Sequence, residues 1–177
     1  LAAHPSLANT FCGVIDGTVD QFVRIAASNG AVTTVGATGF AAIQALTVHN
    51  GQLFAWDINA GLLRINANTG VATDVNPNVG TNGVVVQFLA SHTDGRLLGG
   101  NRELYRIDLT TGVPTLIAAI ANGVFDLRGA EVRVSFQQNF GTGCASVGAA
   151  QCVLNTSGTL PSAFLTASSS GHTPGRL

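Results

Sequence analysis

The sequence has no Lys and no Met, a single Trp and a single Tyr, and charged side chains at only 10% of its 177 positions. An ordinary soluble domain carries about 25%. Without Lys there is no P-loop lysine, no Schiff-base amine and no lysine-paired phosphate site. Eight Arg are offset by nine acids, for a net charge of −1. That balance argues against nucleic-acid partners, which draw affinity from neutralised phosphates. No apolar run approaches the roughly 18 residues of a membrane span. The chain begins at Leu1 without a basic, apolar leader, so a processed, secreted, extracellular or cell-surface protein is expected. Cysteine is scarce too. Cys144 and Cys152 bracket a Gly/Ala/Ser loop at a spacing that does not suit zinc. A disulfide between them is the expectation, as in an oxidising compartment. Cys12 is left over in an apolar stretch, where a thiol acts as a small hydrophobe.

What the chain does have is a repeat. Leu104-Tyr105-Arg106-Ile107-Asp108 leads through Gly112 into Val113–Ile117. The same unit occurs around Arg64-Ile65-Asn66 with Gly70, and around Arg24-Ile25-Ala26 with Gly30. Aligned Arg and aligned Gly residues are separated first by 40 and then by 42 positions. A fixed period of this size signals a repeat architecture.

Within each period the apolar runs are four to six residues long, rich in Val, Ile, Leu, Thr and Phe, and bounded by Gly or Asn. That pattern reads as strands. The second copy predicts strands near 43–48, 52–57, 61–66 and 71–75, and the third near 86–91, 96–99, 103–108 and 113–118. The first copy is expected to lack its leading strand, with residues 1–10 an extended segment. Asn50-Gly51 and Asp94-Gly95 are hairpin signals. Asn66 and Asp108 open the last turn of each unit by bonding amides ahead of them. Gly30, Gly70 and Gly112 close it, read as a type I turn with a Gly bulge at positive φ. Ala26 stands in the opening position of the first copy, so that turn should be weaker.

The Arg-Ile strands are apolar on both faces, as in four-stranded sheets stacked face against face. An all-β, β-propeller-like fold of about three to four small units follows. The units fall near 11–36, 43–76, 86–118 and 124–136, within a repeat domain at 11–136. Residues 137–177 form a Cys loop and a Ser/Thr/Gly/Pro-rich tail, and Asn155 begins a glycosylation sequon. Rings of this kind need at least four blades. Too few units leave sheet faces of about 300 Å² open, so the tail or a neighbouring copy is expected to cover them.

The units resemble the Leu-Tyr-x-Ile-Asp-x-x-Thr-Gly repeats of secreted bacterial β-propeller-like proteins, many of them domains of unknown function. The likeness spans residues 11–136 and is carried by turn and core residues. It implies an exported propeller-like protein and says little about activity.

Candidate chemistry is sparse. His49 and His92 sit at equivalent pre-turn positions, as metal ligands or as repeated turn residues. Arg24, Arg64 and Arg106 either line a rim for acidic glycans or pair between sheets with Asp16 and Asp57. Asp126 and Glu131 form no recognisable acid/base or calcium cluster. Gly141-Thr142-Gly143 lacks a nucleotide-loop context. Trp56 either packs in the core or stacks on a sugar. No catalytic residue, cofactor or metal site is assigned. The expected function is a self-associating structural subunit of an extracellular fibre or surface layer, with copies of itself as partners. The alternatives are a lectin-like or adhesive glycan-binding propeller and, more weakly, a glycan-acting enzyme.

Overall fold

The computed structural model describes residues 1–120 and 127–130. The described residues carry twelve strands in three four-stranded antiparallel sheets and no helix. The first sheet is β1 (Ala2–Ala3), β2 (Thr10–Ile15), β3 (Gln21–Ala26) and β4 (Val32–Ala37). The second is β5 (Ile43–His49), β6 (Gln52–Asp57), β7 (Gly61–Ile65) and β8 (Ala72–Asp74). The third is β9 (Phe88–Ser91), β10 (Leu97–Gly100), β11 (Glu103–Ile107) and β12 (Pro114–Ala119). In each sheet the strands lie in chain order. The fold is an all-β, propeller-like repeat.

The period of the sequence is the period of the structure. Arg24 pairs with Cys12, Arg64 with Phe54 and Arg106 with Leu98, three equivalent ladder positions. Even the irregularities repeat. The ladder shifts between Phe22 and Val23 in the first sheet and between Leu104 and Tyr105 in the third. Val35 and Ile117 are therefore the extra residues of two matching bulges.

The first unit departs from the sequence expectation. It has a leading strand, with Ala2 opposite Cys12 and Ala3 opposite Phe11. Two residues are too few to show alternation, and Pro5 ends the strand by removing a donor. Leading strand β5 packs against both β1 and β9, whereas β4 and most of β12 face solvent. The leading strands thus gather on the inside and the fourth strands lie at the rim. Arg128, Gly129 and Ala130 join Leu1, Gln44 and Gln87 around a small cavity of about 160 Å³ beside these inner strands.

Two apolar seams hold the stack. Cys12 and Phe22 of the first sheet meet Leu53, Ala55, Leu63 and Ile65 of the second. Phe54, Trp56 and Leu62, on the opposite face of the second sheet, meet Val86, Leu89, Leu97 and Ile107. Strand residues alternate between faces, so the middle sheet must be apolar on both because both are covered. Trp56 is a core residue, fully buried, with an indole N–H that has no hydrogen-bond partner among the described residues.

Two buried carboxylates fix where β5 starts. Asp20 Oδ2 accepts from the Ile43 amide at 2.9 Å, and Asp57 Oδ2 accepts from the Ala42 amide at 3.1 Å. Asp57 Oδ1 also accepts from Asn59 and Ala60. These bonds offset the cost of burying the charges.

Candidate functional site

The paired hairpin turns at one end of each sheet build the site. In the second sheet the Asn66 carbonyl accepts from Gly70 N–H at 2.8 Å, and Asn66 N–H donates to Val71. Asn66 Oδ1 takes the amides of Asn68 and Thr69. The third sheet repeats this with Asp108, whose Oδ1 accepts from Thr110 and Thr111. Those two amides, first of all, hold the Asp108 carboxyl below the usual carboxylate range. In the first sheet Gly30 N–H bonds the Ala26 carbonyl at 2.8 Å, with no side chain to support it from position 26. The three glycines have φ of +72°, +81° and +72°. The closing bond runs from residue i+4 to residue i, which makes these α-turns, one residue longer than a type I turn with a Gly bulge. The shorter form occurs instead at Thr93–Gly95, where Gly95 N–H bonds the His92 carbonyl.

Between the two turns of the second sheet lies a groove of about 410 Å³. Its lining includes Gln52, Arg64, Asn66, Asn68 and Thr73, with Ser6 contributed by the first sheet's β1–β2 loop. The third sheet has its counterpart, about 380 Å³, lined by Asp94, Arg96, Arg106, Asp108 and Thr110. Position by position, Arg64 becomes Arg106, Asn66 becomes Asp108 and Gln52 becomes Arg96. In this second groove Arg96 binds Asp94 at 2.6 Å. The Arg96 bond, followed by the Arg96 amide and His92, holds Asp94 well below the ordinary carboxylate range.

The aligned arginines do not pair with Asp16 and Asp57. Asp57 is engaged by three backbone amides and Asp16 is exposed. Arg24 instead crosses the seam, donating from Nη2 to the Ala67 carbonyl at 2.7 Å and to Asn68 Oδ1 at 3.4 Å. Arg64 is exposed, and its guanidinium lies 5.6 Å from the Phe54 ring centroid. Among the described residues neither Arg64 nor Arg106 has a carboxylate within salt-bridge distance.

His49 and His92 share a position, and among the described residues they join no cluster of metal-ligating side chains. His49 is buried, with Nδ1 2.8 Å from Ser91 Oγ across the seam. His92 Nδ1 lies 2.7 Å from Asp94 Oδ1. Among the described residues no three His, Cys, Asp or Glu side chains gather. A third member escaped the sequence reading. His4 follows β1 and bonds Thr10 through its amide, the position His92 holds relative to Arg96. Its Nδ1 accepts from the amides of Ser6 and Leu7, so Nε2 carries the proton. Burial, then the charge of Arg24, lower the His4 pKa, while the Ala67 carbonyl opposes them.

Cys144, Cys152, Asn155, Asp126, Glu131 and Gly141–Gly143 lie outside the described residues. Cys12 is a buried free thiol, pushed up in pKa by burial. The Tyr105 hydroxyl donates to Glu103, and burial followed by that carboxylate pushes it up to about 12. It is therefore no base at neutral pH. Asp20 was also missed, because nothing in Thr18-Val19-Asp20-Gln21 distinguishes a buried clamp from a surface acid.

No protein-family model matches the chain, and no curated protein matches it either. Among solved structures it is similar to a structural-genomics protein of unknown function from Bacteroides thetaiotaomicron, at 18% identity and TM-score 0.47. That match covers 58% of this chain and 29% of the other. It is also similar to the extracellular domain of a putative hybrid two-component system from the same organism, at 17% identity and TM-score 0.44, covering 68% and 16%. A europium-containing methanol dehydrogenase matches at 13% identity and TM-score 0.40, covering 63% and 23%. The chain spans less than a third of the length of each. None of these likenesses says what it binds or does.

Proposed function

We propose that this chain is a secreted, self-associating structural module whose copies pair through the outer edges of the first and third sheets. The chemistry of those edges carries the reading. β4 reads Val-Thr-Thr-Val-Gly-Ala and β12 reads Pro-Thr-Leu-Ile-Ala-Ala, six residues each without a charge. Neither outer edge has a strand partner among the described residues. Soluble proteins guard such edges with Lys, other charges or short strands. Here only β8 is guarded, being three residues long and ending in Asp74.

Leu116 and Ile117 are 56% and 45% exposed, although they are consecutive in a strand, because a bulge re-aims the side chain at its extra residue. The bulges confine flat pairing to Val32–Thr34 and Pro114–Leu116, so each contact is short and assembly depends on repetition. Joining β12 of one copy to β4 of the next is a heterologous contact, which propagates into filaments unless its rotation closes a ring. A net charge of −1 offers little repulsion against it. The exported setting rests on the sequence. No helix among the described residues is long and apolar enough to cross a membrane.

Sedimentation velocity and negative-stain imaging of the full chain test this. Assembly that grows with concentration is expected, and Leu116→Lys or Thr34→Lys should suppress it while leaving the circular dichroism spectrum unchanged. A wild-type chain that stays monomeric at the highest soluble concentration would sink the proposal.

A further inference from the structure

We infer that the groove of the second sheet is a binding site for a uronate, a sugar bearing a carboxylate, free or within an acidic polysaccharide, with Arg64 as its anchor. This site stands apart from the strand edges and does not depend on self-association.

The hydrogen bonds already made inside the protein decide what the groove has left to offer. Asn66 Oδ1 is occupied by two turn amides, and Asn68 Oδ1 by Arg24. Asn66 therefore has only its N–H₂ to give to a ligand, and Asn68 offers its N–H₂ beside an oxygen already engaged by Arg24. The Arg64 guanidinium makes no hydrogen bond among the described residues and is steadied by the Phe54 ring, which leaves its five donors available. Among the described residues no carboxylate lines this groove. The result is a donor-rich recess with one positive charge, suited to an acceptor-rich ligand with one negative charge.

A guanidinium fork matches a carboxylate bidentately. Phosphate also pairs with a guanidinium and is the competing anion in the titration below. The volume of about 410 Å³ is well beyond what a carboxylate needs and lies in the range of small-ligand sites. Ser6, Gln52 and Thr73 supply the hydroxyls and amide that would meet sugar hydroxyls.

The third-sheet groove is the internal control. Asp108 has no N–H to offer, and Arg96 is already neutralised by Asp94. Among the described residues two acids and two arginines line it, and their charges cancel.

Calorimetric titration of the full chain at low salt, with galacturonate, a short galacturonate oligomer, a neutral galactose oligomer of equal length and inorganic phosphate, tests the assignment. Binding of the acidic sugars is expected, weakened by added salt and absent for the neutral oligomer. Arg64→Gln should weaken it about tenfold or more, and Arg106→Gln should leave it unchanged. A stronger response to the oligomer than to the monomer identifies a polymer as the ligand; an equal response identifies the free sugar. Should Arg64→Gln fold poorly, Asn68→Asp keeps the acceptor for Arg24, places a negative charge in the groove, and should weaken binding as much. No binding of either acidic sugar, equal binding of the neutral oligomer or of phosphate, or full affinity in a folded Arg64→Gln would each overturn the assignment.

Discussion

The first and second sheets carry the same repeat, with Arg24 and Arg64 at the same ladder position, but their surroundings differ. The second sheet has a neighbour on both faces, and Leu53, Phe54, Ala55 and Trp56 are all buried in one strand. In the first sheet, β2 buries Cys12 at the seam but leaves Phe11 42% and Ile15 49% exposed. Seam position thus sets what a repeated residue is worth.

Trp56 and Val14 occupy equivalent positions and should separate most widely. Trp56→Ala should cost about 3–5 kcal/mol, through lost burial and an unfilled cavity. Val14→Ala, at a half-buried site, should cost about 1 kcal/mol. Denaturant midpoints measure both, and equal losses would break the comparison.

The turn glycines come next. Among the described residues a Cβ on Gly30 meets nothing within 4 Å, whereas one on Gly70 would sit 2.9 Å from the Gly36 carbonyl oxygen and 3.1 Å from Phe22 Cβ. Gly30→Ala should cost about 1–2 kcal/mol for the left-handed backbone alone. Gly70→Ala should cost at least about 1 kcal/mol more by forcing the seam apart.

Smaller effects follow from the opening residue of each turn. Asn66→Ala removes two amide bonds and should lose about 1 kcal/mol. Ala26→Asp supplies the missing acceptor and should gain about 0.5 kcal/mol, which thermal unfolding would resolve.

A last contrast depends on pH. The folded His4 pKa lies below its unfolded value of about 6.5, so the unfolded chain binds more protons. Stability should therefore fall as pH drops below about 6.5, down to the folded pKa. His4→Gln should flatten that slope, and an unchanged slope would remove His4 from the account.

Much of this fold was legible because the repeat writes its own alignment. Arg24, Arg64 and Arg106 with Gly30, Gly70 and Gly112 located the third strands and their turns, and the structure places strands within a few residues of the predicted runs. The rest was hidden for physical reasons. β1 is two residues long and has no period. The three-residue and four-residue turns differ by one hydrogen bond, although Gly ends both. An arginine beside an apolar residue says that it crosses a seam; only the fold reveals that Arg24 finds a carbonyl where a carboxylate was expected. The groove itself was not legible, because its donor character depends on which amide oxygens the turns consume.

The two carboxylates at the start of β5 have a consequence for dynamics. The amide of Ile43 belongs to the second sheet, yet its acceptor, Asp20, belongs to the first. Its exchange with solvent deuterium should follow the undocking of one sheet from the other, while the amides of β6 and β7 follow the opening of the second sheet itself. Ile43 is thus a built-in reporter of whether the blades of this stack open singly or together.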